Sequence, residues 1–458
     1  MDFPYPYFPV QFTKEGTVFQ QSDVDALVSA VTAGPNAPTD LFIMCHGWNN
    51  NMDEATSLYQ GLANVIKAQI DANPKLNQRK YAICGVLWPS KKFEDSDLIP
   101  SGAAALEDAV KTDQLQQRVD DLRSLFAATD WPAVASQPPA EFDELKTLMD
   151  GIEDAGDDTK ARAVDLVRKL LPKDAASTDD ASQRFFDTGA AALLSKLTKK
   201  LNPPAIPAGV GAASLDPFST GKVSGLGGAA GFRDVLGGVK SGFLHLLNFA
   251  TYYVMKARAG DVGVKGVAPL IVTLRDKRGE LRIHMIGHSF GCRVLASTIN
   301  SLPDDEKFRP DTVLLLQGAF SHNGFAMKGD VEGVDRGAFR DVIEKKKVRG
   351  AIAITHTRND KAVGIAYPIA SRINGVTAAA LGDADDIFRG LGSNGTQTKQ
   401  TTPEGIPGTL LPVGQPYPFA NGVPSSTPCN LKADEFIKGH SDIQKPEVAY
   451  ALTVVMAL

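Results

Sequence analysis

Cysteine is scarce in this sequence: Cys45, Cys84, Cys292 and Cys429 are the four in 458 residues. They are scattered without metal-ligand spacing, and the first three lie in or beside apolar runs where buried thiols are common, so no disulfide framework is expected. Long apolar runs are also missing. No stretch of about 18 apolar residues exists to span a membrane, so no integral membrane segment is expected. Basic excess is absent too: the formal net charge is −5 and the pI is near 5.9. That balance disfavours nucleic acid and anionic lipid as partners. The lysine clusters Lys345-Lys346-Lys347 and Lys199-Lys200 are short and read as solvated helix faces. The opening Met1-Asp2-Phe3-Pro4-Tyr5-Pro6 has neither a basic start nor an apolar stretch, so no secretory signal is read and a cytoplasmic protein is expected.

What is present is the composition of a folded enzyme, with 43% hydrophobic and 22% charged residues. The length suits one large domain with a substantial insertion, or two ordinary domains. The first 90 residues alternate strand and helix. Ser22 with Asp25 resembles a capping box opening a helix toward Val31, and Leu41-Phe42-Ile43-Met44-Cys45 is a continuous apolar run suited to a strand covered on both faces. His46-Gly47-Trp48-Asn49 ends that strand. A helix is expected from about Asp53 to Ile70, then a buried strand from Tyr81 to Trp88, stopped by Pro89.

The strand pattern then gives way for about 160 residues to helical periods, Leu115, Val119, Leu122 and Phe126, and later Val164, Val167, Leu170 and Leu171. Residues 89–244 are therefore expected to form a mainly helical insertion between two parts of a core, 1–88 and 245–458. A Gly/Ala/Ser/Pro-rich loop is expected near 203–238. Within it, Gly225-Leu226-Gly227-Gly228-Ala229-Ala230 fits the loose dinucleotide pattern. No strand leads into it and no acid follows at the ribose-binding distance, so it reads as loop and no cofactor is expected.

Alternation resumes with a helix from about Phe243 to Ala259 and a short one near Val264 to Leu274. Leu281 to Ile286 is the next strand, followed by Gly287-His288-Ser289-Phe290-Gly291 and a helix starting at Cys292. Thr312 to Leu316 and Val348 to Thr355 are two further strands, each before a polar loop, which makes a parallel doubly wound α/β sheet the expected class. Chance supplies Gly-x-Ser-x-Gly too easily in a glycine-rich chain for the bare match to decide anything. The context decides it. A nucleophile elbow needs a strand feeding the serine, a helix leaving it and small residues two positions either side, and all three are present.

A serine hydroxyl needs a base to take its proton and a third group to hold that base in the right tautomer. In an elbow of this kind the acid and the histidine follow the serine in that order. His46, His245, His284 and His288 precede Ser289. His322 and His356 follow it, but come before the best acid loop. His440, in a late loop before a helix opened by Pro446, is the expected base. The expected acid is Asp360, at the end of the apolar run from Ala351, whereas Asp383, Asp385 and Asp386 read as a solvated helix start. The competing reading of Asp360 is a turn cap or an ion pair with Arg358. An oxyanion needs two backbone N–H donors, one after the nucleophile and one from an early strand end, and Phe290 and Trp48 occupy those positions. The competing reading of His46 to Asn51 is an Asn-rich turn before a helix, and one loop can serve as both.

With His-Gly-aromatic-Asn after an early strand and Gly-His-Ser-Phe-Gly at the elbow, the sequence resembles the α/β-hydrolase superfamily, specifically its esterase-like members, over residues 1–88 and about 245–458. The resemblance implies an α/β-hydrolase fold with a mostly parallel eight-stranded sheet, helices on both faces and the helical insertion as a cap or lid. It implies Ser289, Asp360 and His440 as the triad and the Trp48 and Phe290 amides as oxyanion hole, with His46, Gly47 and His288 in support. The insertion is longer than a minimal member carries. The implied activity is hydrolysis of carboxylic esters, small-molecule or lipid-like, through an acyl-enzyme, with no cofactor and no metal. No His-Glu-x-x-His spacing is present, and a serine at the elbow argues against dehalogenase and epoxide-hydrolase chemistry. Lipase or thioesterase action on longer acyl chains is the variant reading. A non-catalytic binding protein keeping the fold is the reading from another class, and a partner-binding insertion on an ordinary esterase is a third.

Overall fold

Where apolar residues run without interruption, strands covered on both faces form. The computed structural model describes residues 2–90, 110–126, 139–198, 238–360, 388–397, 406–422 and 424–458. Eight strands make one sheet: β1 (Tyr7–Gln11), β2 (Asp40–Cys45), β3 (Tyr81–Leu87), β4 (Arg282–His288), β5 (Thr312–Leu316), β6 (Ile352–His356), β7 (Ile406–Thr409) and β8 (Pro428–Lys432). Their spatial order is β1-β3-β2-β4-β5-β6-β8-β7, and every neighbouring pair is parallel. Each residue of β2, β3 and β5 is buried, as runs such as Leu41-Phe42-Ile43 require. Each fully buried Leu, Ile or Phe contributes about 1.5–3 kcal/mol.

The chain order places the helices. From β1 to β2, from β3 to β4 and from β4 to β5 the chain moves one way across the sheet, and from β2 to β3 it moves the other way. Right-handed crossovers then put Gln21–Thr32, Ala268–Lys277 and Phe290–Ser301 on one face and Met52–Asp71 on the other. The contacts agree. Ala268–Lys277 touches Gln21–Thr32 and Phe290–Ser301, whereas Met52–Asp71 is covered by the last helix, Pro446–Met456. The direction of travel reverses between β2 and β4, which opens a crevice at their carboxyl ends.

The described residues fall into two units. The first, within Met1–Ser90, Arg258–Val363 and Gly390–Leu458, holds the whole sheet. The second, within Lys91–Ala257 and Gly364–Arg389, has helices and no strand among its described residues. Its helices are amphipathic: Thr112–Phe126 buries Leu115, Val119, Leu122 and Leu125, and Asp157–Leu170 buries Val164, Val167 and Leu170. Within it the Lys256 ammonium is fully buried against Asp180 at 2.6 Å and Ser182 Oγ at 2.8 Å. Among the described residues no helix is long and apolar enough to cross a membrane.

Several sequence expectations change. Gln21–Thr32 starts one residue before Ser22 and has no side-chain cap; the complete capping box is Asn51 with Glu54, ahead of Met52–Asp71. The short helix expected from Val264 is instead a π-helical turn, Val262–Val267, running into Ala268–Lys277. Lys347 is not on a solvated face. It is buried, with Nζ donating to the carbonyls of Asn300 and Leu302 at 2.8 and 2.6 Å. The strand expected from Val348 begins at Ile352. Lys199-Lys200, the Gly-rich loop as far as residue 237 with its Gly225 to Ala230 motif, and Asp383, Asp385 and Asp386 lie outside the described residues.

Candidate active site

Because all eight strands run the same way, whatever follows each strand collects along one edge of the sheet. Ser289 follows β4, Asp360 lies four residues past β6, the loop carrying His440 follows β8, and His46-Gly47-Trp48 follows β2. All of these residues belong to the sheet unit.

Ser289 stands between β4 and the helix Phe290–Ser301 with φ 56° and ψ −123°, a backbone state that a residue with a Cβ rarely adopts. Its N–H donates to the Leu316 carbonyl at 3.0 Å, and its own carbonyl accepts from Cys292 and Ala319 at 3.1 and 3.0 Å. These bonds to β5 and to the new helix hold the sharp turn. The motif glycine after it has a steric reason: a Cβ on Gly291 would stand 2.1 Å from the Cys45 carbonyl oxygen. Gly47 faces the serine itself. A Cβ there would lie 2.5 Å from Ser289 Cβ and 3.1 Å from Oγ, so the β2 loop and the β4 turn meet at the crevice.

Asp360 and His440 are brought together. His440 Nδ1 donates to Asp360 Oδ2 at 2.9 Å, and both residues are buried. The alternative ion pair does not form, because Arg358 Nε donates to Asp434 Oδ2 instead, at 3.1 Å. The His288 ring links this pair to the serine turn. Its Nε2 donates to the His440 carbonyl at 3.0 Å, and the two imidazoles lie 4.8 Å apart. Burial, reinforced by the charge that His440 can carry, pushes His288 down to about 3, so it stays neutral at ordinary pH. Its Nδ1 has no hydrogen-bond partner among the described residues.

The β2 loop is braced from beneath. His46 Nδ1 donates to the Gly47 carbonyl at 2.9 Å and Nε2 accepts from the Trp88 N–H at 3.3 Å, one neutral tautomer with both nitrogens used. Burial lowers its pKa to about 4. Trp88 Nε1 donates to the His46 carbonyl at 3.0 Å, and the Tyr59 hydroxyl accepts from His46 N–H and donates to the Val86 carbonyl. His46 is thus a structural brace. The Asn-rich stretch also acts as a cap, through Asn51 and Glu54. Trp48 and Phe290 meet edge to face with ring centres 5.7 Å apart, which places the residues after Gly47 and after Ser289 side by side.

One residue that the sequence reading passed over joins the cluster. Gln317 follows β5 directly, as Ser289 follows β4, and donates from Nε2 to Asp360 Oδ2 at 3.0 Å. Its signal was positional: a polar residue at the carboxyl end of a buried strand. Asp434 was also passed over; it ties the acid loop to the histidine loop by accepting from Thr357 Oγ1 and the Arg358 N–H, both at 3.0 Å. Among the described residues no group of three or more His, Cys, Asp or Glu side chains is placed to hold a metal ion.

The fold and the site therefore define an α/β protein with a single parallel eight-stranded sheet and a polar cluster at its carboxyl edge. No family model, curated protein or solved structure matches the chain.

Proposed function

We propose that this chain is a serine hydrolase of the α/β-hydrolase kind, cleaving carboxylic esters through Ser289, His440 and Asp360. The observation that carries the reading is the buried His440 Nδ1 to Asp360 Oδ2 hydrogen bond of 2.9 Å, tied through His288 to a serine held at positive φ. A carboxylate on Nδ1 fixes the tautomer in which Nε2 is the base and stabilises the imidazolium that forms when it takes a proton.

In the first step Ser289 Oγ attacks the ester carbonyl while His440 Nε2 accepts its proton. The tetrahedral oxyanion is met by the Trp48 and Phe290 amides, and its collapse expels the alkoxide, which takes the proton back from His440 and leaves as alcohol. Water then attacks the acyl-serine with His440 again as base, and the carboxylic acid departs. The reaction consumes one water and calls for no cofactor.

A fluorophosphonate probe with mass-spectrometric site mapping tests the reading. Labelling at Ser289 that disappears in Ser289→Ala is expected. A wild-type protein that takes no label, or label that persists in Ser289→Ala, removes it. A panel of short and long acyl esters and thioesters then separates esterase from lipase or thioesterase action.

A further inference from the structure

We infer that Gln317 is a positioning residue: its side-chain amide holds the Asp360 oxygen to which His440 is bonded, and so sets the direction in which the imidazole is presented. The inference rests on the serine-hydrolase reading above and adds a fourth side chain to it.

Gln317 is fully buried and has φ 50°, a left-handed conformation that a glycine would adopt without strain. The side chain justifies the position. Nε2 donates to Asp360 Oδ2 and to the Gly392 carbonyl, both at 3.0 Å, and Oε1 accepts from Thr355 Oγ1 at 3.0 Å. An ionised carboxylate can only accept, so the amide nitrogen must face Asp360. Thr355 fixes the same orientation from the other side: its hydroxyl accepts the Gln317 N–H at 3.3 Å and donates to Oε1. The backbone is equally confined. A Cβ on Gly392 would lie 2.4 Å from the Gln317 carbonyl carbon, and the Gly392 N–H donates to Gly318 O at 2.9 Å.

Among the described residues Oδ2 thus receives a donor from His440 and one from Gln317. The Gln317 donor is one restraint on rotation of the carboxylate about its last bond, and so on the imidazole bonded to it. Titratable groups beside the pair among the described residues include His288, whose ring lies against His440, Cys292 in the first turn of Phe290–Ser301, and Asp434, Lys438 and Asp442 on the adjoining loops. Burial keeps His288 and Cys292 uncharged, lowering the histidine and raising the thiol.

The test uses Gln317→Leu, which keeps the bulk and removes the donor, and Gln317→Glu, which keeps the shape and puts a second carboxylate beside Asp360. Two readouts are taken on the full chain: the fluorophosphonate labelling rate of Ser289 between pH 5 and 9, and the His440 titration by NMR of protein carrying [15N]histidine. Gln317→Leu is expected to label roughly 10- to 100-fold more slowly at unchanged probe saturation. Gln317→Glu is expected to label much nearer the wild-type rate than Gln317→Leu at low pH, because two buried carboxyls this close share a proton and the protonated side chain still donates to Asp360 Oδ2.

A folded Gln317→Leu that labels within about twofold of wild type, with an unmoved His440 inflection, overturns the inference. If Gln317→Leu does not fold, the same result in Gln317→Met, which also lacks the donor, overturns it equally. If the wild type takes no label, the hydrolase reading falls by itself, and the NMR titration still decides whether Gln317 governs His440.

Discussion

Gly47 and Ser289 are set so close that a methyl group on the glycine would stand 2.5 Å from the serine Cβ. The contact joins loops from two adjacent strands, so one of them must move to admit any side chain. Gly47→Ala is expected to lower kcat/KM for an ester substrate at least about tenfold by shifting the Trp48 loop away from the serine. The stability loss should be modest, about 1–3 kcal/mol, as for other overpacked sites. Steady-state kinetics beside a thermal melt check both; unchanged kinetics in a folded variant would show that the loop yields without consequence.

The backbone of Ser289 supports a second expectation. At an ordinary position glycine is less stable than alanine by about 0.5–1 kcal/mol, because it loses more freedom on folding. At φ 56° the order should invert, since glycine alone adopts this conformation without strain. Ser289→Gly is therefore expected to melt at or above Ser289→Ala, with both variants inactive. Differential scanning calorimetry of the pair decides it, and an alanine variant clearly the more stable would mean that the turn stores no strain.

How far the site could be read beforehand depended on the kind of signal each residue carried. Ser289 sits in a pentapeptide whose glycines are forced by backbone approach, so geometry left a trace in the sequence. Asp360 and His440 were reachable because apolar strands such as Ile352 to Thr355 end in polar loops, and the parallel sheet turns chain order into position along one edge. Gln317 left no such trace, since a glutamine after a strand has no motif and its role depends on Asp360, forty-three positions away. The edge strands were illegible for another reason. Tyr7–Gln11 contains Pro9 and Ile406–Thr409 contains Pro407 and Gly408, residues that weaken a strand pattern and are tolerated only at a sheet margin or a strand start. Lys347 misled because a run of three lysines suggests solvent, while its ammonium is held by two helix-end carbonyls.

At the far end of the strands from Ser289, Asp40 is buried and accepts from His284 Nε2 at 2.9 Å, Thr39 Oγ1 at 2.6 Å and Arg79 Nη1 at 3.2 Å. Burial alone would raise its pKa, but the His284 bond and charge, with Thr39 and Arg79, hold it below the ordinary 3.8. A folded-state pKa below the unfolded one means a contribution that is complete above 3.8 and disappears as pH falls through the lower folded value. Asp40→Asn is expected to cost about 3 kcal/mol or more at pH 7 and to flatten the loss of stability below pH 4. Urea titrations across pH 2–7 measure it, and parallel curves for wild type and variant would remove Asp40 from the account.

The buried histidines act over a higher window. His46 and His288 are lowered from 6.5 to about 4 and about 3. Between the unfolded and folded values the unfolded chain binds the extra proton, so stability falls as pH falls from 6.5 toward 4. The melting temperature is expected to decline through that range. His46→Asn is expected to decline less steeply from a lower starting point, because one of the neutral imidazoles is gone. A wild-type melting temperature constant from pH 7 to 4.5 contradicts the neutral, buried state of these rings.

Asp434 has a consequence for how the chain can be re-engineered. Asp360 and His440 are eighty positions apart, yet Thr357, Arg358 and Asn359 are stitched directly to Asp434 and Ile437 at 2.8 to 3.1 Å. Asp360 and His440 are therefore held together by noncovalent seams as well as through the intervening chain, which itself supplies β7, β8, Gly392 and Asp434. Two complementing fragments divided between Asn359 and Asp434 keep both sides of the seam, so they are expected to reassemble the Asp360–His440 pair through these bonds.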